Sequence, residues 1–166
     1  MSKDLAKTEQ DLIKADRRAL ILQIEKEISA QEGAVFGNAF PLKHTFSSGI
    51  YVREITIPQG ILLTGRIHKH DHPNFLLKGT VRVLTEDGGI ETLIAPVSMI
   101  SAKGTKRALY TLTEVVWTTI HLNPTNTQDI DELEEEIVVD TYEQYDEFTR
   151  KELPWYKRII KTISMR

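Results

Sequence analysis

Three of the chain's five histidines fall on alternate residues, in the run Ile67-His68-Lys69-His70-Asp71-His72-Pro73. Side chains alternate between faces along a strand, so an extended backbone here turns all three imidazoles to one side. Neutral imidazole is the commonest protein ligand for transition metals, and two at i and i+2 can converge on one ion. Such a row on the inside of a barrel makes a metal site or a polar ligand pocket. Reach limits how many can share an ion. From i to i+4 a strand spans roughly 13 Å, at about 3.3 Å per residue, whereas metal–nitrogen bonds are about 2.1 Å. His68 and His70 are the pair expected to converge, and His72 joins only if Asp71-His72-Pro73 bends. His121, near the end of a later apolar run, is the candidate for a further ligand.

The elements that must carry these residues show in the periodicity. Residues 8–32 read as an amphipathic helix, with Thr8 and Asp11 resembling a capping pair and Ile13, Leu20, Ile24 and Ile28 at helical spacing. Gly33 and Gly37 are expected to end it. Ala19-Leu20-Ile21-Leu22 widens the apolar stripe beyond what a surface helix needs, which implies packing on its own barrel or contact with another copy. From Phe40 to Asn123 the texture changes to short β-rich runs: 50–57, 75–77, 81–85, 90–94, 98–101, 108–112 and 115–121. Glu86-Asp87-Gly88-Gly89 between two of them is a strong hairpin signal. Strands at this spacing with no helix between them imply an antiparallel sandwich or closed barrel. After Pro124 the chain turns acidic and helical, with carboxylates through 129–136 and a second helix starting near Thr141 and Gln144. A basic tail from Lys157 to Lys161, with Trp155, Tyr156, Ile159 and Ile160 among its residues, offers an oligomer contact. The expected organisation is an N-terminal helix over 1–37, a barrel over 38–123 and an acidic helical extension over 124–166.

Bulk composition excludes several function classes. A net charge of −3 supplies no field for gripping a phosphate backbone, so nucleic acid is not an expected partner. The absence of cysteine removes disulfides, thiolate ligands and a cysteine nucleophile. No stretch of about 18 apolar residues appears, and the polar MSKDLAKTEQDLIK start reads as no signal peptide. No membrane partner and a cytoplasmic location are the expectations.

The middle block resembles the cupins, six-to-eight-strand double-stranded β-helix barrels. Their first motif places a His-x-His pair before a glutamate, with six residues between that glutamate and a glycine. His68-Lys69-His70 matches the pair and Leu77-Lys78-Gly79-Thr80-Val81 the glycine turn, and counting back from Gly79 puts His72 where the glutamate belongs. The second motif reads Pro-x-Gly-x-x-His. Here the stretch is Ala102-Lys103-Gly104-Thr105-Lys106-Arg107, with Arg107 at the ligand position. The resemblance covers roughly 50–123. The wider pattern, from Phe40-Pro41-Leu42-Lys43-His44 to Trp117-Thr118-Thr119-Ile120-His121, is similar to uncharacterised cupin-like proteins of tailed bacteriophages.

The fold implied is an all-β dominated cupin (jelly-roll) barrel with an N-terminal helix and C-terminal helices. His68, His70 and His121 are the candidate metal ligands, with a divalent transition metal as the implied cofactor. Arg107 cannot coordinate, and its fixed charge favours a small anionic ligand such as a carboxylate or phosphate. His72, Glu54 and Tyr51 complete the candidate ligand-binding set. The reading leans away from an enzyme, because the glutamate and last-histidine positions are both replaced, and no catalytic residue is assigned. A homo-oligomer, a dimer first, is expected from the apolar surplus in 19–28. The alternatives are a structural virion protein and a metal-dependent enzyme.

Overall fold

The computed structural model describes residues 3–152. Helix α1 (Lys3–Ser29) is followed by ten strands: β1 (Leu42–Ser47), β2 (Ile50–Ile57), β3 (Leu62–Thr64), β4 (Ile67–His68), β5 (His72–Lys78), β6 (Thr80–Thr85), β7 (Gly89–Ile94), β8 (Val97–Ser101), β9 (Arg107–Thr111) and β10 (Val115–Leu122). The chain then forms α2 (Ile130–Ile137), β11 (Val138–Val139) and α3 (Tyr142–Glu152). One sheet has the order β1-β2-β10-β5-β8 and the other β3-β9-β6-β7, every pairing antiparallel. Neighbours in these sheets are mostly distant in sequence, and the two sheets pack face to face around one apolar core as a jelly-roll barrel.

Period-two alternation fills the interior. Ile57, Leu76, Val81, Val83, Val115 and Trp117 form the buried apolar core, with Ile55, Leu63, Val97, Met99 and Leu109 packed against it. The turn at Glu86-Asp87-Gly88-Gly89 joins β6 to β7 as expected, with Thr85 opposite Gly89. At Gly79, φ is +89° and a Cβ would lie 2.1 Å from the Glu114 carbonyl oxygen, so only glycine fits between β5 and β6.

Both flanking helical segments are fastened to the barrel through buried charge. Ile21 of α1, fully buried, packs on Leu84 and Ala108 on the outer face of the second sheet. Glu86, itself buried, accepts from Arg18 at 2.8 Å and from the Tyr142 hydroxyl, while the Arg18 guanidinium lies 3.9 Å over the Tyr142 ring. Buried Lys106 pairs with Glu25 of α1 at 2.7 Å and donates to the Asp140 carbonyl at 3.2 Å. Because α1 begins at Lys3, Thr8 lies within the helix and does not cap it. A capping box does open α3: Gln144 Oε1 accepts from the Asp140 and Thr141 amides at 2.9 and 3.2 Å, and Thr141 Oγ1 accepts from the Gln144 amide at 3.3 Å. The basic tail, with Trp155, Tyr156, Ile159 and Ile160, lies outside the described residues.

Candidate functional site

The histidine row is not one strand. His68 ends β4, which pairs with β11 of the C-terminal segment, Val138 opposite His68. His72 opens β5, which pairs with β8, Ser101 opposite His72. Between them the backbone bends, and three hydrogen bonds hold the bend. The Lys69 amide donates to the Ile137 carbonyl at 2.8 Å, the Gly104 amide to the His68 carbonyl at 2.8 Å, and the Lys103 amide to Asp71 Oδ1 at 2.7 Å. The bend folds His72 back onto His68, their ring centroids 4.0 Å apart. His121, on the inward column of β10, completes the group at 5.2 Å from His68 and 4.8 Å from His72. One ring nitrogen from each lies within 4.8 Å of the others.

His70 is displaced by the same bend. Its side chain is exposed and its ring meets Phe148 of α3 edge-on at 5.6 Å, so it does not share the pocket with His68. The expectation that the i, i+2 pair converges fails here because strict alternation requires an unbroken strand.

Protonation in the cluster follows from its burial. Burial, then His72, His121 and the Arg107 charge, hold His68 down to about 2. Burial first, then His72 and Arg53, hold His121 down to about 3. His72 is lowered chiefly by burial, against the opposing pull of its bond to the His70 carbonyl. All three are neutral at pH 7, the form that ligates metals. His72 Nδ1 lies 3.2 Å from the His70 carbonyl, which can only accept, so the proton sits on Nδ1 and the Nε2 lone pair is left bare. That Nε2 is buried and has no hydrogen-bond partner. His121 Nε2 contacts Thr119 Oγ1 at 3.0 Å.

The remaining candidates divide by strand face. Tyr51, buried on the inward column of β2, stacks on His121 at 6.1 Å, and its hydroxyl lies 2.8 Å from His44 Nδ1; burial pushes its pKa up. Glu54 is three residues along the same strand and therefore on the outer face. There it lies 4.0 Å from Lys43 Nζ and accepts from Thr118 Oγ1 at 3.4 Å, away from the histidines. The residue that does share Tyr51's face is Arg53, which the sequence reading passed over although plain alternation points to it. Arg107 faces inward beside Leu109 and donates to Ser101 Oγ. Asn74, also missed, links Trp117 Nε1, at 2.9 Å from its Oδ1, to Ser101 Oγ through its Nδ2. The mouth is covered by α2, whose Leu133 and Ile137 pack on Tyr51.

The three donors suit a transition metal. Tetrahedral sharing at about 2.1 Å per bond needs nitrogens about 3.4 Å apart, and the broad χ2 well of histidine lets the rings rotate to close that gap at little cost. The hydrogen bond from His72 Nδ1 to a carbonyl is the arrangement that orients a metal-ligating imidazole. Among the described residues no carboxylate joins the group.

No protein-family profile and no curated protein matches the sequence. Solved structures of similar fold include a cupin-2 domain protein from Shewanella frigidimarina, 12% identical over 53% of this chain and 85% of its own, TM-score 0.43. An RmlC-like double-stranded β-helix protein from Methanocaldococcus jannaschii is 11% identical over 58% and 94%, TM-score 0.42. KdgF from Halomonas sp. is 11% identical over 57% and 89%, TM-score 0.44.

Proposed function

We propose that the polar end of this barrel is a binding site for a divalent transition metal, held by His68, His72 and His121. The observation that carries the reading is His72 Nε2, a bare lone pair buried without a partner, on a ring whose centroid lies 4.0 and 4.8 Å from two other neutral imidazoles. A buried polar atom left unpaired costs about 1–3 kcal/mol, and a metal bond relieves that cost. Three protein nitrogens leave a fourth position open, and an ion bound there supplies Lewis acidity to whatever occupies it. The role is binding and not turnover. Glu54 stands on the wrong face to act as acid or base, and the Tyr51 hydroxyl, its pKa raised by burial, keeps its proton near neutrality.

Elemental analysis of protein purified without chelator, with Zn, Ni, Mn and Fe added back in turn, tests this. One equivalent of a single metal is expected in the wild type and none in His72→Leu. Equal metal content in both, or none in either after add-back, would remove the proposal. A second reading, a structural role in a dimer or virion assembly, draws on Leu12, Ile13, Leu20 and Leu22, apolar side chains of α1 left exposed. A monomer in sedimentation velocity at every concentration tried would count against it.

A further inference from the structure

A cation without an acid stands beside the three imidazoles. Several cations of the chain have carboxylate partners: half-buried Arg18 has Glu86, buried Lys106 has Glu25, and exposed Arg66 has Glu134 and Asp140. Arg107 is half-buried on the inward face of β9, and among the described residues no carboxylate pairs with it. Its hydrogen-bond acceptor is Ser101 Oγ, directly across the β5–β8 register from His72. From the opposite sheet Arg53 adds a second positive charge near His68 and His121, its Nη2 3.3 Å from Asn38 Oδ1.

The hydrogen-bond directions around Ser101 can be worked out from Trp117. An indole N–H only donates, so the Asn74 atom it meets at 2.9 Å is the carbonyl oxygen, and Asn74 presents its NH₂ to Ser101. Ser101 Oγ then accepts from both Asn74 Nδ2 and Arg107 Nη2. Both hydroxyl lone pairs are spent, and its O–H remains to be donated. Ser101 is buried, so that proton has little access to water.

A divalent ion on three neutral imidazoles would add two positive charges beside Arg107, which has no carboxylate partner among the described residues. Buried charge is stable only when compensated. We propose that the open coordination position takes an oxyanion, a carboxylate or phosphate borne by a small ligand, with Arg107 and the Ser101 hydroxyl donating to its oxygens. The assignment rests on the metal reading. Arginine's planar fork matches the paired oxygens of either group, and its charge remains fixed at any physiological pH. The ligand's charge completes what the protein leaves unbalanced.

The test uses Co(II)-loaded protein, titrated with acetate and with inorganic phosphate against a chloride control. The cobalt visible bands report on coordination and calorimetry reports affinity. Band changes and measurable affinity are expected for acetate or phosphate, and whichever binds more tightly identifies the class. Arg107→Gln should weaken that affinity about tenfold or more, since a hydrogen bond to a charged group is lost. Ser101→Ala should weaken it less, and metal affinity in Arg107→Gln should equal or exceed that of the wild type. Arg107→Lys, which keeps the charge and loses the fork, serves if the glutamine variant does not fold, with an intermediate loss expected. Metal-loaded protein that ignores both anions, or an Arg107 variant that binds as the wild type does, overturns the proposal. Equal anion affinity with and without cobalt overturns the co-ligand assignment. Failure to take up cobalt at all sinks the metal reading itself, and is scored before any anion is added.

Discussion

The inward columns of β2 and β10 change character halfway along the barrel. At one end Ile57 and Ile55 pair with Val115 and Trp117 and turn into an apolar core closed by Leu76, Val81 and Val83. At the other, Arg53 and Tyr51 stand opposite Thr119 and His121, joined by His72, Asn74, Ser101 and Arg107. Trp117 sits at the boundary, its ring in the core and its N–H bonded to Asn74. The lower half is the kind of close-packed interior that drives folding. The upper half carries a bare buried nitrogen and a guanidinium with no acid, both of which oppose folding unless something else satisfies them. A barrel with one end this stable can leave the other end incomplete, and the incompleteness is where a ligand gains its binding energy.

The sharpest way to break this contrast is to damage each end in turn. Leu76→Ala, in the fully buried lower half, should lose about 2–5 kcal/mol of stability. His72→Leu in the upper half should change the metal-free protein by less than about 1 kcal/mol, because it removes a buried unsatisfied nitrogen. Urea unfolding of both variants decides it, and similar losses at the two sites would erase the distinction.

Next in size is the response to metal. At a free concentration about a hundred times Kd, a bound ion stabilises the wild type by about 2.7 kcal/mol. His72→Leu should show no such gain, and a chelator should reverse it in the wild type. Differential scanning fluorimetry with and without the ion reads both.

A graded effect concerns acid. His68 and His121 titrate near 2 and 3 in the folded chain, both well below the ordinary 6.5. Below pH 6.5 the unfolded chain therefore binds protons that the folded chain refuses, and stability falls as pH falls. The slope should approach about 1.4 kcal/mol per pH unit for each group and flatten above the ordinary histidine value. Denaturation midpoints of the metal-free protein across that range should show it, with a shallower slope in His121→Leu. A flat profile would mean that water already reaches the cluster.

The smallest effects should come from the two candidates that lie outside the pocket. His70→Ala and Glu54→Gln should shift stability by no more than about 0.5 kcal/mol and leave metal affinity within about twofold. A large loss of metal binding in His70→Ala would restore the histidine pair suggested by spacing alone.

Much of this was readable from residue order. Alternating apolar runs separated by Gly-containing turns are enough to specify a two-sheet barrel, because each strand must bury one face and the turns set where it reverses. The same alternation places Tyr51 inward and Glu54 outward, and Arg53 with Tyr51. What it could not convey was the break in the histidine row. Whether His68 to His72 runs straight depends on which strands pair with each end, and those partners lie far away in sequence, Val138 of β11 being 70 residues from His68 and Ser101 of β8 being 29 from His72. Local pattern therefore determined that histidines line a barrel. Long-range pairing decided which of them meet, since only contacts from distant strands can hold a bend that local spacing leaves free.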